Sequence, residues 1–425
     1  MVHLYQRPFN RSKIMQFHFS AYSTPLLFGF TQAWIYAILL WIRGYREERL
    51  SDKLLGWVLV GLAFEIWVYM LGFGGIEILW QKLEFVPRDL GYLLGPFIYF
   101  YLKSQLDAGF RFRWSHAWHA VPFLIHVVYH MVVFAQGAVF VQEWERTVHY
   151  PFRFGELEYV VLIGQQFLYL YRSFKLYHKY RVWIKNQFSE TDSISFRWYR
   201  NFLLALAITM LFGLLMTLLD LWLDLNYWQD WWGNLVCTVL IYYVSIEGYG
   251  QVQTARKLVF HSDEISLPNV SESSRAIASK QEIIASTDSA NVPEPLASTG
   301  ALFDLPERLA ALLAYMNQEK PHLDPDLSLP DLARRMRTNP VLLSQVINAG
   351  AGKNFNDFVN AYRVDEFKRQ VREPASAHLS FLGLALDCGF NSKATFNRAF
   401  KKFTGTSPKE FTEAQERTNE KSPSA

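Results

Sequence analysis

Six long apolar stretches in the first 250 positions constrain this chain more than any other feature: 25–42, 54–73, 116–136, 157–177, 202–223 and 235–249. A helix needs about 20 mostly apolar residues to cross a hydrocarbon layer of roughly 30 Å. The six stretches meet or nearly meet that length and predict transmembrane α-helices. A seventh, 90–102 (LGYLLGPFIYFYL), is shorter and contains Pro96. It spans if neighbouring helices satisfy the freed backbone groups, and is re-entrant otherwise.

Charge favours seven. With seven spans and the C-terminus in the cytoplasm, the inner loops hold sixteen basic residues, among them Arg43, Lys103, Arg172 and Lys179, against seven outside. That is the positive-inside pattern. Without the short span the first two helices flip, and the run from Arg43 to Lys53 lands outside. Trp41, Trp80, Trp228, Trp231 and Trp232 stand near expected span ends, as interfacial belts require.

The chain is 51% hydrophobic and 19% charged, below the quarter or so of charged residues usual in a soluble domain. All 14 tryptophans precede residue 233, so the chain is not one uniform globular domain. Cys237 and Cys388 are its only cysteines, which excludes a disulfide scaffold, a zinc knuckle and a CxxC redox pair. Arg7, Arg11 and Lys13, with no small-residue cleavage site after an apolar run, predict no cleavable leader.

Residues 261–301 are rich in Ser, Ala, Glu and Pro and predict a flexible linker. From Leu302 the chain reads as soluble and helical, with its caps visible. Leu302, Leu305, Leu309, Leu312, Leu313 and Met316 recur at helical spacing. Ser328 caps a short helix, with Asp331 at the capping-box position. Asn339-Pro340 opens the next one. Phe355, Phe358, Val359, Tyr362 and Val371 stripe a longer helix. Ser380 and Ser392 cap two more, Gly389 and Gly405 end them, and Ser407 with Glu410 opens the last. Two helix–turn–helix units thus lie in one small domain, their second helices starting at Pro340 and Lys393. Paired reading helices suit successive major-groove faces, which lie about 34 Å apart.

Over residues 323–411 the chain resembles the AraC/XylS family of bacterial transcription regulators. The resemblance rests on LSLPDLARRM, NPVLLSQVIN, NFNDFVNAYRVDEFKR and above all ALDCGFNSKATFNRAFKKFTGTSPKEF. The membrane half, with LGYLLGPFIYFYLKS, looks like the multi-span front ends attached to some such regulators. One departure stands out: Arg337 occupies the place where the first turn of the family has glycine. A left-handed backbone angle is costly for arginine, so another turn geometry is expected there.

The resemblance implies binding to double-stranded DNA through the outer face of each second helix. In the first unit it points to Val341, Ser344, Gln345 and Asn348. Gln345 would pair with adenine and Val341 would touch a thymine methyl. In the second it points to Lys393, Ala394, Asn397 and Arg398, with Lys401 and Lys402 on phosphates. Between 391 and 409 there are five basic residues and no acidic one, although residues 302–425 hold 17 basic against 15 acidic. Charge is therefore concentrated where a DNA backbone would pass. Phe390, Phe396, Phe400 and Phe403 have core spacing rather than that of base-stacking platforms.

Ionisable residues within a bilayer are functional candidates. Glu65 and Glu247 fall well inside expected spans and are candidate ligand-sensing residues for an unknown small-molecule or membrane signal. His126 and His130 lie four apart on one helix face, as two metal ligands would need. No carboxylate or cysteine stands near them at ligand spacing, so interhelical hydrogen bonding is expected and no metal site. No cofactor is expected either.

The expected fold is all-α. A seven-helix transmembrane bundle over 1–260 is joined by a flexible linker, 261–301, to an AraC-type DNA-binding domain, 302–416, with a disordered tail, 417–425. The expected location is a bacterial inner membrane, with the N-terminus outside and the DNA-binding domain in the cytoplasm. The partners are promoter DNA, the lipid bilayer and, with the membrane half as candidate surface, a second copy of the chain. Two other readings are a transporter or enzyme with an autoregulatory DNA-binding tail, and a passive anchor for a constitutive regulator. No repeat relates the halves, and no Gly-rich phosphate loop or Ser/His/Asp set is present, so no enzymatic activity is expected.

Overall fold

The computed structural model describes residues 17–76, 78, 83, 85–107, 109–192, 196–223, 228–251, 305–373 and 380–420. The expected linker and residues 421–425 lie outside them. Every regular element among the described residues is a helix, as expected. An isolated antiparallel bridge joins Phe188 and Ser328. The chain divides into two compact units. The first is Met1–His178 with Phe196–Ser262, and the second is Lys179–Ser195 with Asp263–Ala425.

The first unit contains α1 (Ser23–Arg46), α2 (Leu50–Phe73), α3 (Gly91–Leu106), α4 (Val121–Phe134, preceded by a 3-10 stretch from Trp114), α5 (Ala138–Trp144), most of α6 (Phe154–Gln187), α7 (Arg197–Leu223) and α8 (Asp230–Tyr249). α2 is the most enclosed, packed against α1, α3 and α8. Small residues permit close approach: Gly56 lies against the Trp41 indole and Gly248 against Leu55. At one end of the bundle Arg43 donates to Asp52 at 2.6 Å and to the Tyr249 carbonyl at 2.7 Å, tying α1, α2 and α8 together. The outward positions of α4 and α7, including Ile125, Val128, Val132, Ile208, Leu211 and Leu215, are apolar and exposed.

The count of seven spans does not hold. Among the described residues, four helices are long and apolar enough to cross a membrane: Ser23–Arg46, Leu50–Phe73, Trp114–Phe134 and Arg197–Asp220. The stretch 90–102 becomes α3, which has 16 residues and at 1.5 Å per residue reaches only about 24 Å. α6 and α8 are long enough but too polar, with Glu158, Gln165, Gln166 and Arg172 on one and Asp230, Asn234 and Glu247 on the other.

The second unit contains the last residues of α6, the segment that follows it, and α9 (Leu305–Gln318), α10 (Leu329–Arg335), α11 (Pro340–Gln345, continued by a π turn to Gly350), α12 (Phe355–Val371), α13 (Phe381–Asp387), α14 (Lys393–Thr404) and α15 (Pro408–Glu420). α15 runs into the stretch expected as a tail. The caps fall where the sequence puts them. Ser328, Asn339, Ser380 and Ser392 each accept from a backbone N–H of the first turn they precede. Ser407 and Glu410 form a full capping box, with the Ser407 N–H on the Glu410 carboxylate at 2.7 Å. Each such cap contributes about 1 kcal/mol.

α12 supplies two cores. Phe355, Phe358 and Val359 pack with Leu329, Leu332, Leu343 and Ile347 of the first helix–turn–helix. Val364 and Phe367 pack with Leu384, Phe390, Phe396 and Phe400 of the second. One helix therefore sets the relation between α11 and α14. The two turns match. The Thr338 N–H bonds the Ala333 carbonyl and the Phe390 N–H bonds the Ala385 carbonyl. Arg337 has φ 53° and Gly389 has φ 90°. The different first-turn geometry expected for Arg337 is thus absent: arginine adopts the left-handed angle, at a strain of about 1–2 kcal/mol, because the six-residue bond around it leaves no other path.

These turns give the first prediction. A Cβ at Gly389 would stand 2.4 Å from the His322 carbonyl oxygen. Gly389→Ala should cost about 2–4 kcal/mol, by collision and backbone strain together. Arg337→Gly should be neutral or stabilising by up to about 1 kcal/mol. Amide hydrogen exchange in α10 to α14 of the full chain reads both changes.

Candidate DNA-reading surface

α11 and α14 present the residues expected to read DNA. On α11, Val341, Gln345 and Asn348 are exposed and Ser344 is half-buried, with the Asn348 amide donating to the Ser344 hydroxyl at 3.2 Å. On α14, Lys393, Ala394, Asn397, Arg398, Lys401 and Lys402 are all exposed, while Thr395, Phe396, Ala399 and Phe400 face the core. The helical period separates the two sets: three or four residues on, each set returns to its own face. Each reading helix begins at a side-chain cap, so its first turn is held open at the surface.

Two of the expected contact cations already carry carboxylates. Lys402 Nζ donates to Asp357 of α12 at 2.6 Å. The Arg398 guanidinium donates to Asp192, and the same carboxylate oxygen accepts from the Thr395 hydroxyl at 2.6 Å. Asp192 belongs to the segment after α6, far from α14 in sequence but in the same compact unit.

That segment is tightly held. The Ser189 N–H and hydroxyl both donate to the Leu327 carbonyl, at 3.2 and 2.7 Å. The Asn356 amide donates to the Ser189 carbonyl at 2.6 Å. Arg363 of α12 is fully buried. Its guanidinium donates to the His322 and Asp324 carbonyls, each at 2.8 Å, and to the Ser189 hydroxyl at 3.0 Å. Burial brings the Arg363 pKa down to about 10, against the pull of Glu190 and Asp324. It is still charged at neutral pH, so its acceptors hold the fold together: a buried cation left short of partners costs several kcal/mol. The sequence reading found neither Ser189, Asp192, Asn356 nor Arg363. The available signal was the acidic pair in FSETD, at the end of a strongly basic run.

In the first unit, Glu65 lies against Gly91 and near Asp89, and Glu247 is exposed on α8. Neither carboxylate has a hydrogen-bonding or ion-pairing partner among the described residues, and nothing there joins the two. His130 does make the interhelical contact expected of it. The carboxylate it meets, Glu158 of α6, was not foreseen.

Comparison with known proteins adds three findings. A family model described as "Helix-turn-helix domain" matches residues 332–414, which covers α11 to α14 and most of α10. An uncharacterised HTH-type transcriptional regulator of Staphylococcus aureus (strain COL) is 31% identical over 90 residues, which is 21% of this chain and 12% of that protein. No solved structure matches. Two capped helix–turn–helix units on a shared central helix, the family match over the same residues and the signature string ending in SPKEF agree: residues 332–414 are a helix-turn-helix domain of the AraC/XylS type.

Proposed function

We propose that the chain is a membrane-embedded transcription regulator that binds specific DNA through α11 and α14 and is controlled from its membrane half. The observation that carries this reading is the pair of capped reading helices fixed to one α12, each turning its expected contact residues to solvent. In α11, Gln345 reads an adenine, Val341 touches a thymine methyl, and Ser344 and Asn348 line the same face. In α14, Lys393, Ala394, Asn397 and Arg398 face the bases, and Lys401 and Lys402 neutralise phosphates. Four apolar helices with apolar outer faces support the membrane location. The DNA-binding domain then lies in the cytoplasm. Residues 1–260 act as the sensor, with Glu65 and Glu247 as ligand-contact candidates, and residues 302–416 as the effector, joined through 261–301.

Control runs through the segment after α6. Asp192 neutralises Arg398, the same cation that DNA would take, so the segment and DNA compete for one guanidinium. A signal that shifts the end of α6 changes the position of Ser189 and with it the reach of Asp192. A partly exposed ion pair contributes only about 0.2–1 kcal/mol. Asp192 thus biases DNA binding and does not lock it off.

Promoter binding by the full chain in detergent micelles tests this. Arg398→Ala should weaken binding clearly. Gln345→Ala should remove about 1–3 kcal/mol of discrimination at a single base pair. Lys401→Ala should weaken all sequences alike and lower the salt slope by about 1. Footprints unchanged by all three would overturn the reading. Asp192→Asn should tighten binding by about 2- to 5-fold, as release of one such ion pair requires. Unchanged or weaker binding would remove the competing role.

A further inference from the structure

His126 and His130 sit one turn apart on α4, and the fold brings Glu158 of α6 between them. Oε1 of Glu158 lies 3.5 Å from His126 Nδ1 and 3.2 Å from His130 Nε2. The three donor atoms all fall within 4.8 Å of one another. A zinc ion with bonds of about 2.0–2.2 Å at a tetrahedral angle holds neighbouring ligands roughly 3.4 Å apart. Both histidine–carboxylate spans already have that length. A small rotation of the two rings closes the remaining side.

The second observation concerns His126 itself. It is nine-tenths buried, and neither ring nitrogen makes a hydrogen bond. Its nearest acceptor is Glu158 Oε1, at 3.5 Å, and a buried imidazole left short of a good hydrogen bond costs roughly 1–3 kcal/mol. The rings are also held in place. Phe85 stacks on His130 at 4.8 Å between centroids, and Tyr92 lies 5.3 Å from His126. The Tyr92 hydroxyl donates to the Glu158 carbonyl at 2.9 Å, which fixes the helix that bears the carboxylate. Two imidazoles and one carboxylate form a three-ligand set typical of borderline divalent ions, with the fourth position left to water.

We propose that His126, His130 and Glu158 form a binding site for a divalent transition-metal ion of the zinc class. Binding joins α4 to α6, and α6 leads directly into the segment that carries Asp192. On the function proposed above, and only there, the metal becomes a signal that the DNA-binding domain can read.

Zinc binding to the full chain, purified without a polyhistidine tag in detergent, is the test. Equilibrium dialysis against Zn2+ buffered at micromolar free concentration should leave one ion per chain. His130→Ala and Glu158→Gln should each weaken retention at least tenfold, while His178→Ala and Glu307→Gln leave it unchanged. Glu158→Gln keeps the size and hydrogen-bonding capacity of the side chain, so its loss of zinc is not loss of fold. Co2+ in place of zinc should give the visible absorption of a tetrahedral N/O site, absent in Glu158→Gln. No stoichiometric ion on the wild-type chain, or equal retention in His130→Ala and Glu158→Gln, overturns the site. The readout uses no DNA, so its failure leaves the proposed function standing, and a failure of DNA binding leaves the site standing.

Discussion

The second unit depends on one desolvated cation. Arg363 is fully enclosed between the loop before α10, the Phe390 ring and the segment after α6. A guanidinium cannot be discharged at any physiological pH, so it must be met by acceptors or expelled. The acceptors it finds are main-chain carbonyls of His322 and Asp324 and the Ser189 hydroxyl. Carbonyls are supplied by backbone geometry and not by side-chain choice, so the loop 321–326 is fixed by the same bonds that satisfy the cation. Ser189 is the acceptor far removed in sequence from the others, on the segment after α6. Its presence makes the stretch after α6 a part of that domain's fold and not a tether beside it.

The electrostatics of the reading face follow from this. α14 has four exposed cations between Lys393 and Lys402, which would repel one another on a bare surface. Asp192 and Asp357 each neutralise one, from opposite origins: Asp357 is on α12, inside the domain, and Asp192 is on the docked segment. Both pairs are partly exposed, so each is worth less than about 1 kcal/mol and is screened by salt. The difference lies in mobility. Asp357 stays where α12 puts it, whereas the place of Asp192 is set by the bonds of Ser189 and Asn356.

Local structure in the C-terminal third was legible because its determinants are local. Caps at Ser328, Asn339, Ser380, Ser392 and Ser407 act on N–H groups two or three residues away, and aromatic spacing on α14 separates core from surface within one turn. The first turn shows where a local rule yields: the penalty at Arg337 is real, but the bond from Thr338 to Ala333 and the buried faces of α10 and α11 outweigh it. The spans were less legible. Hydropathy finds apolar runs, but α3 stops at 16 residues and α6 mixes apolar and polar positions along its length. The contacts of Asp192 with Arg398, and of Glu158 with His126 and His130, join positions 28 to more than 200 residues apart. No periodicity signals such pairs.

α6 links these points. It is one uninterrupted helix of 34 residues, and the boundary between the two compact units falls inside it, after His178. Its first turns carry Glu158, and its last residue precedes the bridge from Phe188 to Ser328. Along its length an α-helix pairs its own backbone N–H and C=O groups, so the residues of α6 are set by their neighbours in the helix.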